Sequence, residues 1–255
     1  MDARLILALW FLLLPLSALA FDHQAWDALL KKHVVLLDGG KASQLRYAGM
    51  AQDRPALRSY LEQLSKVRQE EFDGWSRQEQ MAFLINAYNA FTVEKILARY
   101  PDLRSIWDFG KLFGNPFKDE FFVLLGRRRS LDWIEHEKLR KGYREPRIHY
   151  AVNCAAVGCP MLREEAYAAS RLEAQLDEQA RRFLSDRARN RMRQGRLEVS
   201  KIFDWFSEDF EPREAYFARY ADVLADAPSE QGMIRSKSLP LRFLDYDWSL
   251  NDAPK

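Results

Sequence analysis

An unbroken apolar run from Leu5 to Leu14 opens the chain, and beyond it hydrophobic positions recur mostly at helical spacing. From Trp26 to about Leu37, and again from Ala56 to Val67, they fall three and four residues apart, the period of an amphipathic helix. The clearest element begins at Ser76. Ser76-Arg77-Gln78-Glu79 has the form of a capping box, in which serine and glutamate satisfy each other's free backbone donors. The helix it opens is apolar nearly all round from Met81 to Val93, which predicts burial on most sides. It is expected to run to about Tyr100, where Pro101 blocks continuation.

After Pro101 the pattern shortens. Trp107 to Phe117 reads as a loop rich in glycine and aromatics, Phe121 to Leu125 and the residues after Arg129 as a hairpin, and Leu131 to Arg140 as a short helix. Ile148 to Val152, bounded by Pro146, is a short strand candidate, and Ser170 with Glu173 suggests a second capping box opening a helix to about Ser185. Leu197 to Ser200 reads as a strand, and Ile202 to Phe210 as one or two helical turns. The expected class is α+β: a single mainly helical domain with a small sheet of short strands, for which a papain-like arrangement is one candidate.

The opening run carries a destination. Arg4 precedes it, Pro15 ends it, and Ala18-Leu19-Ala20 offers the small-x-small pattern of a cleavage site, so residues 1–20 are expected to be a signal peptide. Ten residues fall well short of the roughly 20 needed for a permanent membrane helix. The mature protein, residues 21–255, is then periplasmic or secreted, with no integral span expected after cleavage near Ala20. About 235 residues, 47% hydrophobic and 13% aromatic over the whole chain, suit one globular domain and exclude a disordered one. A net charge of +2 gives no argument for nucleic acid, and the expected partner is an envelope ligand or protein. Seven arginines against one acid, Asp186, between Arg181 and Arg196 read first as a solvated face and second as a contact with anionic envelope surfaces.

Three clusters could carry chemistry. Asn86 and Asn89 share one face of the apolar helix, either as ties to a neighbouring backbone or as substrate-binding amides. Glu135 and His136 flank the face set by Leu131, Ile134 and Leu139, with His136 at four-residue spacing from Asp132 and Arg140; a surface charge network and a tuned acid–base pair both fit. The third is His149-Tyr-Ala-Val-Asn153-Cys154-Ala-Ala-Val-Gly-Cys159-Pro160, with the only two cysteines of the chain. In an oxidising compartment they suggest a disulfide. Alternatively, Cys154 at the end of a strand is a nucleophilic thiol, with His136 or His149 shuttling the proton, Glu135 orienting the imidazole, and Asn86, Asn89 or Asn153 holding substrate. Alternation along a strand would face Cys154 away from His149 and favours His136. A zinc site from His136, His149, Cys154 and Cys159 lacks the tight spacing of structural sites, so no metal and no cofactor is expected.

Phe83-Leu-Ile-Asn86-Ala-Tyr-Asn89-Ala-Phe-Thr92, Leu131-Asp-Trp-Ile-Glu135-His136 with Leu139-Arg140, and His149 through Pro160 resemble the family catalogued as domain of unknown function 547. So do Ile202-Phe-Asp-Trp-Phe with Asp209-Phe210, and Phe243-Leu-Asp-Tyr-Asp-Trp-Ser-Leu-Asn251, which extends the resemblance over about residues 75–251. It implies a shared domain and no agreed activity. In plant-type members a serine often stands at the position matching Cys159, which draws attention to Cys154; Leu84, where tryptophan is expected, changes packing rather than chemistry. Two functions follow as expectations: a thiol-dependent hydrolase or acyltransferase acting on an envelope peptide, amide or ester, or a non-catalytic periplasmic binding module with a Cys154–Cys159 disulfide.

Overall fold

The computed structural model describes residues 21–110 and 114–253. The expected signal peptide lies outside the described residues, as does part of the loop between Trp107 and Phe117. The first helix, Gln24–His33, stops earlier than its periodicity suggests. Val34–Leu37 instead forms strand β1, antiparallel to β2, Ala42–Leu45. A short apolar run serves either period, and the β-branched pair Val34-Val35 with the Asp38-Gly39-Gly40 turn favours the hairpin.

Helix Arg54–Lys66 buries Leu57, Tyr60, Leu61 and Leu64 on one face. The capping box at Ser76 is present: Glu79 N–H donates to Ser76 Oγ at 3.3 Å, and Ser76 N–H to Glu79 Oε2 at 2.7 Å. The helix it starts, Arg77–Leu97, buries every residue from Met81 to Val93 and is the axis of the fold. Around it pack the hairpin of β3 (Phe122–Leu124) and β4 (Arg127–Arg129) and a wide π-type helix, Trp133–Arg140. The hairpin of β5 (Arg191–Arg193) and β6 (Arg196–Val199) is joined in parallel by β7, Leu241–Phe243. The class is α+β, but the strands form three separate sheets of two, two and three strands rather than one. None of the described helices is long and apolar enough to cross a membrane.

Two local expectations fail. Ile148–Val152 is not a strand: Pro146–Tyr150 is a 3-10 helix, with Pro146 in its first turn and Glu145 Oε1 accepting from Arg147 N–H at 3.1 Å. Proline fixes a helical φ and the glutamate caps the turn, so local chemistry outweighs the apolar alternation. The Ser170–Glu173 capping box does not form either. The Leu172–Leu184 helix follows a 3-10 turn, Ala169–Arg171, and Glu173 pairs instead with Arg147 at 2.6 Å.

The core has two parts. One surrounds Trp26, Tyr60, Phe83 and Ile148; the other gathers Phe183, Phe203, Phe210 and Phe217 around Tyr150. The Pro146–Tyr150 turn therefore contributes to both, and His149 lies between those two side chains in sequence. The arginine-rich stretch is largely consumed by ion pairs: Arg181 with Asp222, Arg182 with Glu164 and Glu178, Arg187 with Asp226, Arg189 with Asp186, and Arg191 with Glu198.

Candidate functional site

A cavity of about 490 Å³ brings together chain segments distant in sequence. The turn into the wide helix and the helix itself supply Asp132, Glu135 and His136; the 3-10 turn supplies His149; the loop after it supplies Cys154 and Cys159. Aromatic side chains form much of the wall: Trp107 and Phe117, Trp205 and Phe206, and Tyr246 and Trp248 from the C-terminal segment. Helices of π type occur disproportionately at functional sites, and here the widened turn presents two adjacent residues, Glu135 and His136, to one cavity.

Four polar groups form a chain along the cavity. His149 is buried, stacks on Phe206 with ring centroids 4.2 Å apart, and donates from Nε2 to Asp209 Oδ2 at 2.6 Å. The same carboxylate oxygen accepts from Arg140 Nε at 2.5 Å. Burial pushes the Asp209 carboxyl upward, but the His149 and Arg140 hydrogen bonds outweigh it and hold the group down at about 2. Arg140 Nη1 donates to His136 Nδ1 at 2.9 Å. Guanidinium only donates, so this bond needs a lone pair on Nδ1 and places the proton of neutral His136 on Nε2, on the side of Asp132 at 3.7 Å.

These bonds change the roles assigned from sequence. Glu135 makes no hydrogen bond to His136 among the described residues; it lies beside the buried hydroxyl of Tyr88, which burial first and the Glu135 charge second push well above the ordinary phenol range. The carboxylate that orients an imidazole is Asp209, and the imidazole is His149. Cys154 and His149 both line the cavity, because the strand whose alternation would face them apart is replaced by a 3-10 turn.

Cys154 and Cys159 are joined in a disulfide, with Cα atoms 6.2 Å apart, and no cysteine is free. Three contacts shape the loop. Cys154 N–H points at Cys159 Sγ at 2.8 Å, the Cys154 sulfur lies 3.2 Å from the Tyr246 hydroxyl, and Asn153 Oδ1 accepts from Ala155 N–H at 3.0 Å. Ala155 is left-handed, with φ 62°. Gly158 serves close approach instead. A Cβ there would meet Asp247 N at 2.9 Å and Asp247 O at 3.0 Å. That proximity lets Gly158 N–H donate to Asp247 O and Val157 N–H to Ser249 O, both at 2.8 Å, tying the C-terminal segment across the loop.

Asn86, Asn89 and Asn153 are not in the cavity wall, and the structure gives their amides other work. Asn86 exchanges hydrogen bonds with the backbone of Tyr167, donating to its carbonyl at 2.8 Å and accepting from its N–H at 3.0 Å. Asn89 donates to Ala151 O at 2.9 Å and accepts from Asn153 N–H at 2.8 Å. Asn153 donates to Pro160 O at 2.8 Å. These atoms are committed to backbone: Asn89 and Asn153 position the cysteine loop, and Asn86 holds the segment at Tyr167.

Several wall and network residues were not among the candidates: Tyr88, Trp205, Phe206, Asp209, Tyr246 and Trp248. Only their presence in the motifs that carry the resemblance marked them. No curated protein and no solved structure matches the chain. The family match, where it exists, takes in Asn86, Glu135, His136, His149 and both cysteines, whereas Asp209, Tyr246 and Trp248 lie C-terminal to it. Over residues 72–184 the chain matches the model of the family described as Protein of unknown function, DUF547, the family its motifs resemble.

Proposed function

We propose that the chain is an exported binding module, periplasmic or secreted after cleavage near Ala20, whose aromatic cavity receives a small envelope ligand or a side chain of a partner protein. The observation that carries this reading is the disulfide: with Cys154 and Cys159 joined, the cavity holds no thiolate to act as nucleophile. The volume falls in the range of about 300–1,000 Å³ common to ligand pockets, and the mix of apolar wall and a few polar groups is typical of them. A disulfide also accords with an oxidising compartment.

One observation favours a second reading, a thiol-dependent hydrolase or acyltransferase active after reduction. Cys154 and the Asp209-bound His149 line the same cavity. In that reading Cys154 attacks and His149 shuttles the proton. Alkylation under native conditions separates the two. The mature protein, purified without reductant and mapped by mass spectrometry, is expected to yield Cys154 and Cys159 in one linked, unlabelled pair and no turnover of activated esters before or after reduction. Rapid labelling of Cys154 in unreduced protein, or ester turnover that Cys154→Ser abolishes, reverses the assignment.

A further inference from the structure

The ion pairs of the cavity are unevenly distributed. Asp209, behind the wall, has Arg140 and His149 as partners, whereas Asp132 has beside it only the neutral His136, whose Nε2 is 3.7 Å away. Glu135, half-buried in the cavity wall, has no Lys, Arg or His nitrogen within ion-pair distance among the described residues. Its neighbour is the buried Tyr88, whose hydroxyl is neutral. Among the described residues that line the cavity there is no Lys or Arg, and the acidic ones are Asp132 and Glu135. A carboxylate with a neutral hydroxyl beside it and no counter-charge is free to pair with an arriving cation.

The aromatic wall is suited to the same charge. Trp205 and Trp248 stack at 5.7 Å between centroids, Tyr246 lies 4.6 Å from Trp248, and Trp107 meets Trp248 edge-on at 5.3 Å. Trp107 and Trp205 are 39% and 44% exposed, unusually open for tryptophan. Indole faces attract organic cations, and do so more strongly when water is excluded. A metal ion is a poorer fit, because it needs several donor side chains converging, and the described residues offer no group of three or more His, Cys, Asp or Glu so placed.

We propose that the cavity selects a ligand bearing an organic ammonium group, which pairs with Glu135 while its apolar stem lies against the Trp205, Trp248 and Tyr246 faces. This rests on the binding reading above and specifies the chemistry of what is bound. It differs from a general apolar pocket, which would take a neutral ligand of equal size as readily.

The cavity supplies its own reporter, since Trp107, Trp205 and Trp248 line it. Intrinsic fluorescence of the full mature protein, at constant ionic strength and pH 7, is titrated with n-hexylammonium, n-hexanol and n-hexanoate. The ammonium ion is expected to give a saturable change at roughly tenfold lower concentration than the alcohol, equivalent to about 1.4 kcal/mol, with the carboxylate weakest. Glu135→Gln is expected to abolish the preference for ammonium over alcohol. Trp205→Ala, at an open rim position, should weaken ammonium binding and leave the melting temperature within the wild-type range.

Equal affinity for hexylammonium and hexanol in the wild type overturns the proposal and leaves the binding reading standing. That comparison needs no variant and so survives a folding defect in Glu135→Gln. Absence of saturable binding by all three overturns the proposal and counts against the binding reading as well. Preference for ammonium that persists in a folded Glu135→Gln protein overturns the assignment to Glu135.

Discussion

Asn89 carries more structural consequence than its size suggests. Its amide closes on two backbone groups 62 and 64 residues away, Ala151 O and Asn153 N–H, which flank the start of the cysteine loop. Truncation to alanine orphans both in a buried site, at roughly 1–3 kcal/mol each. Asn89→Ala is therefore expected to lose about 2–4 kcal/mol in urea unfolding; a loss below about 1 kcal/mol would mean that water or relaxation satisfies the two groups. The importance of Asn89 was legible because an amide on an all-apolar helix must have a partner. Which partner was not. His149 shows the same limit: it could be singled out as one of few histidines, yet Asp209 lies 60 residues downstream in a segment read only as helical turns. A carboxylate on such a segment looks like any solvated acid until the fold brings it within 2.6 Å of the imidazole.

At the level of elements, features encoded within three or four residues were legible and those depending on a distant surface were not. The Ser76 box joins residues three apart and forms as expected; Ser76→Ala is predicted to cost about 1 kcal/mol, read as a lower thermal midpoint with the cavity's ligand affinity unchanged. The same pattern at Ser170–Glu173 fails because Arg147, on another element, takes the glutamate. Ile148–Val152 has strand-like alternation, but Pro146 and Glu145 start a 3-10 turn before any strand partner is available. The C-terminal segment was hidden for the opposite reason. Its aromatics become cavity wall because backbone contacts, among them that of Gly158 with Asp247, hold the segment across the cysteine loop. A methyl at that glycine meets rigid backbone, so Gly158→Ala should displace the strap carrying Tyr246 and Trp248. The expected signature is a destabilisation of about 1–3 kcal/mol together with a changed tryptophan emission maximum. A variant that unfolds normally and keeps its emission would show that the strap is not held there.

Acid acts on the whole molecule through two windows that the buried groups define. His23 makes a 2.7 Å hydrogen bond through Nδ1 to Tyr60, and burial pushes its imidazole down to about 4, with Asp22 opposing more weakly. Unfolded, the same imidazole titrates near 6.5. Between about pH 6.5 and 4 the unfolded chain therefore binds a proton that the native protein refuses. Stability falls with pH through that window by up to about 3 kcal/mol and gains no further loss from His23 below it. The second window lies lower. Asp209 and Glu165 are both held at about 2; in each, burial works upward and is outweighed, by His149 and Arg140 for Asp209 and by Arg163, Gln175 and Arg171 for Glu165. Their contributions are fully present above the unfolded carboxylate range near 4 and disappear as pH falls toward 2. Urea unfolding from pH 8 to 3 should thus decline first below about 6.5 and steepen below about 4. Replacing His23 with glutamine keeps a group able to bond the Tyr60 hydroxyl but removes the titration, so the difference between the two profiles isolates the upper window. Wild type and His23→Gln are expected to diverge between pH 6.5 and 4 and run parallel elsewhere. Parallel profiles throughout would place His23 in contact with water in the native state and leave the carboxylates as the source of acid sensitivity.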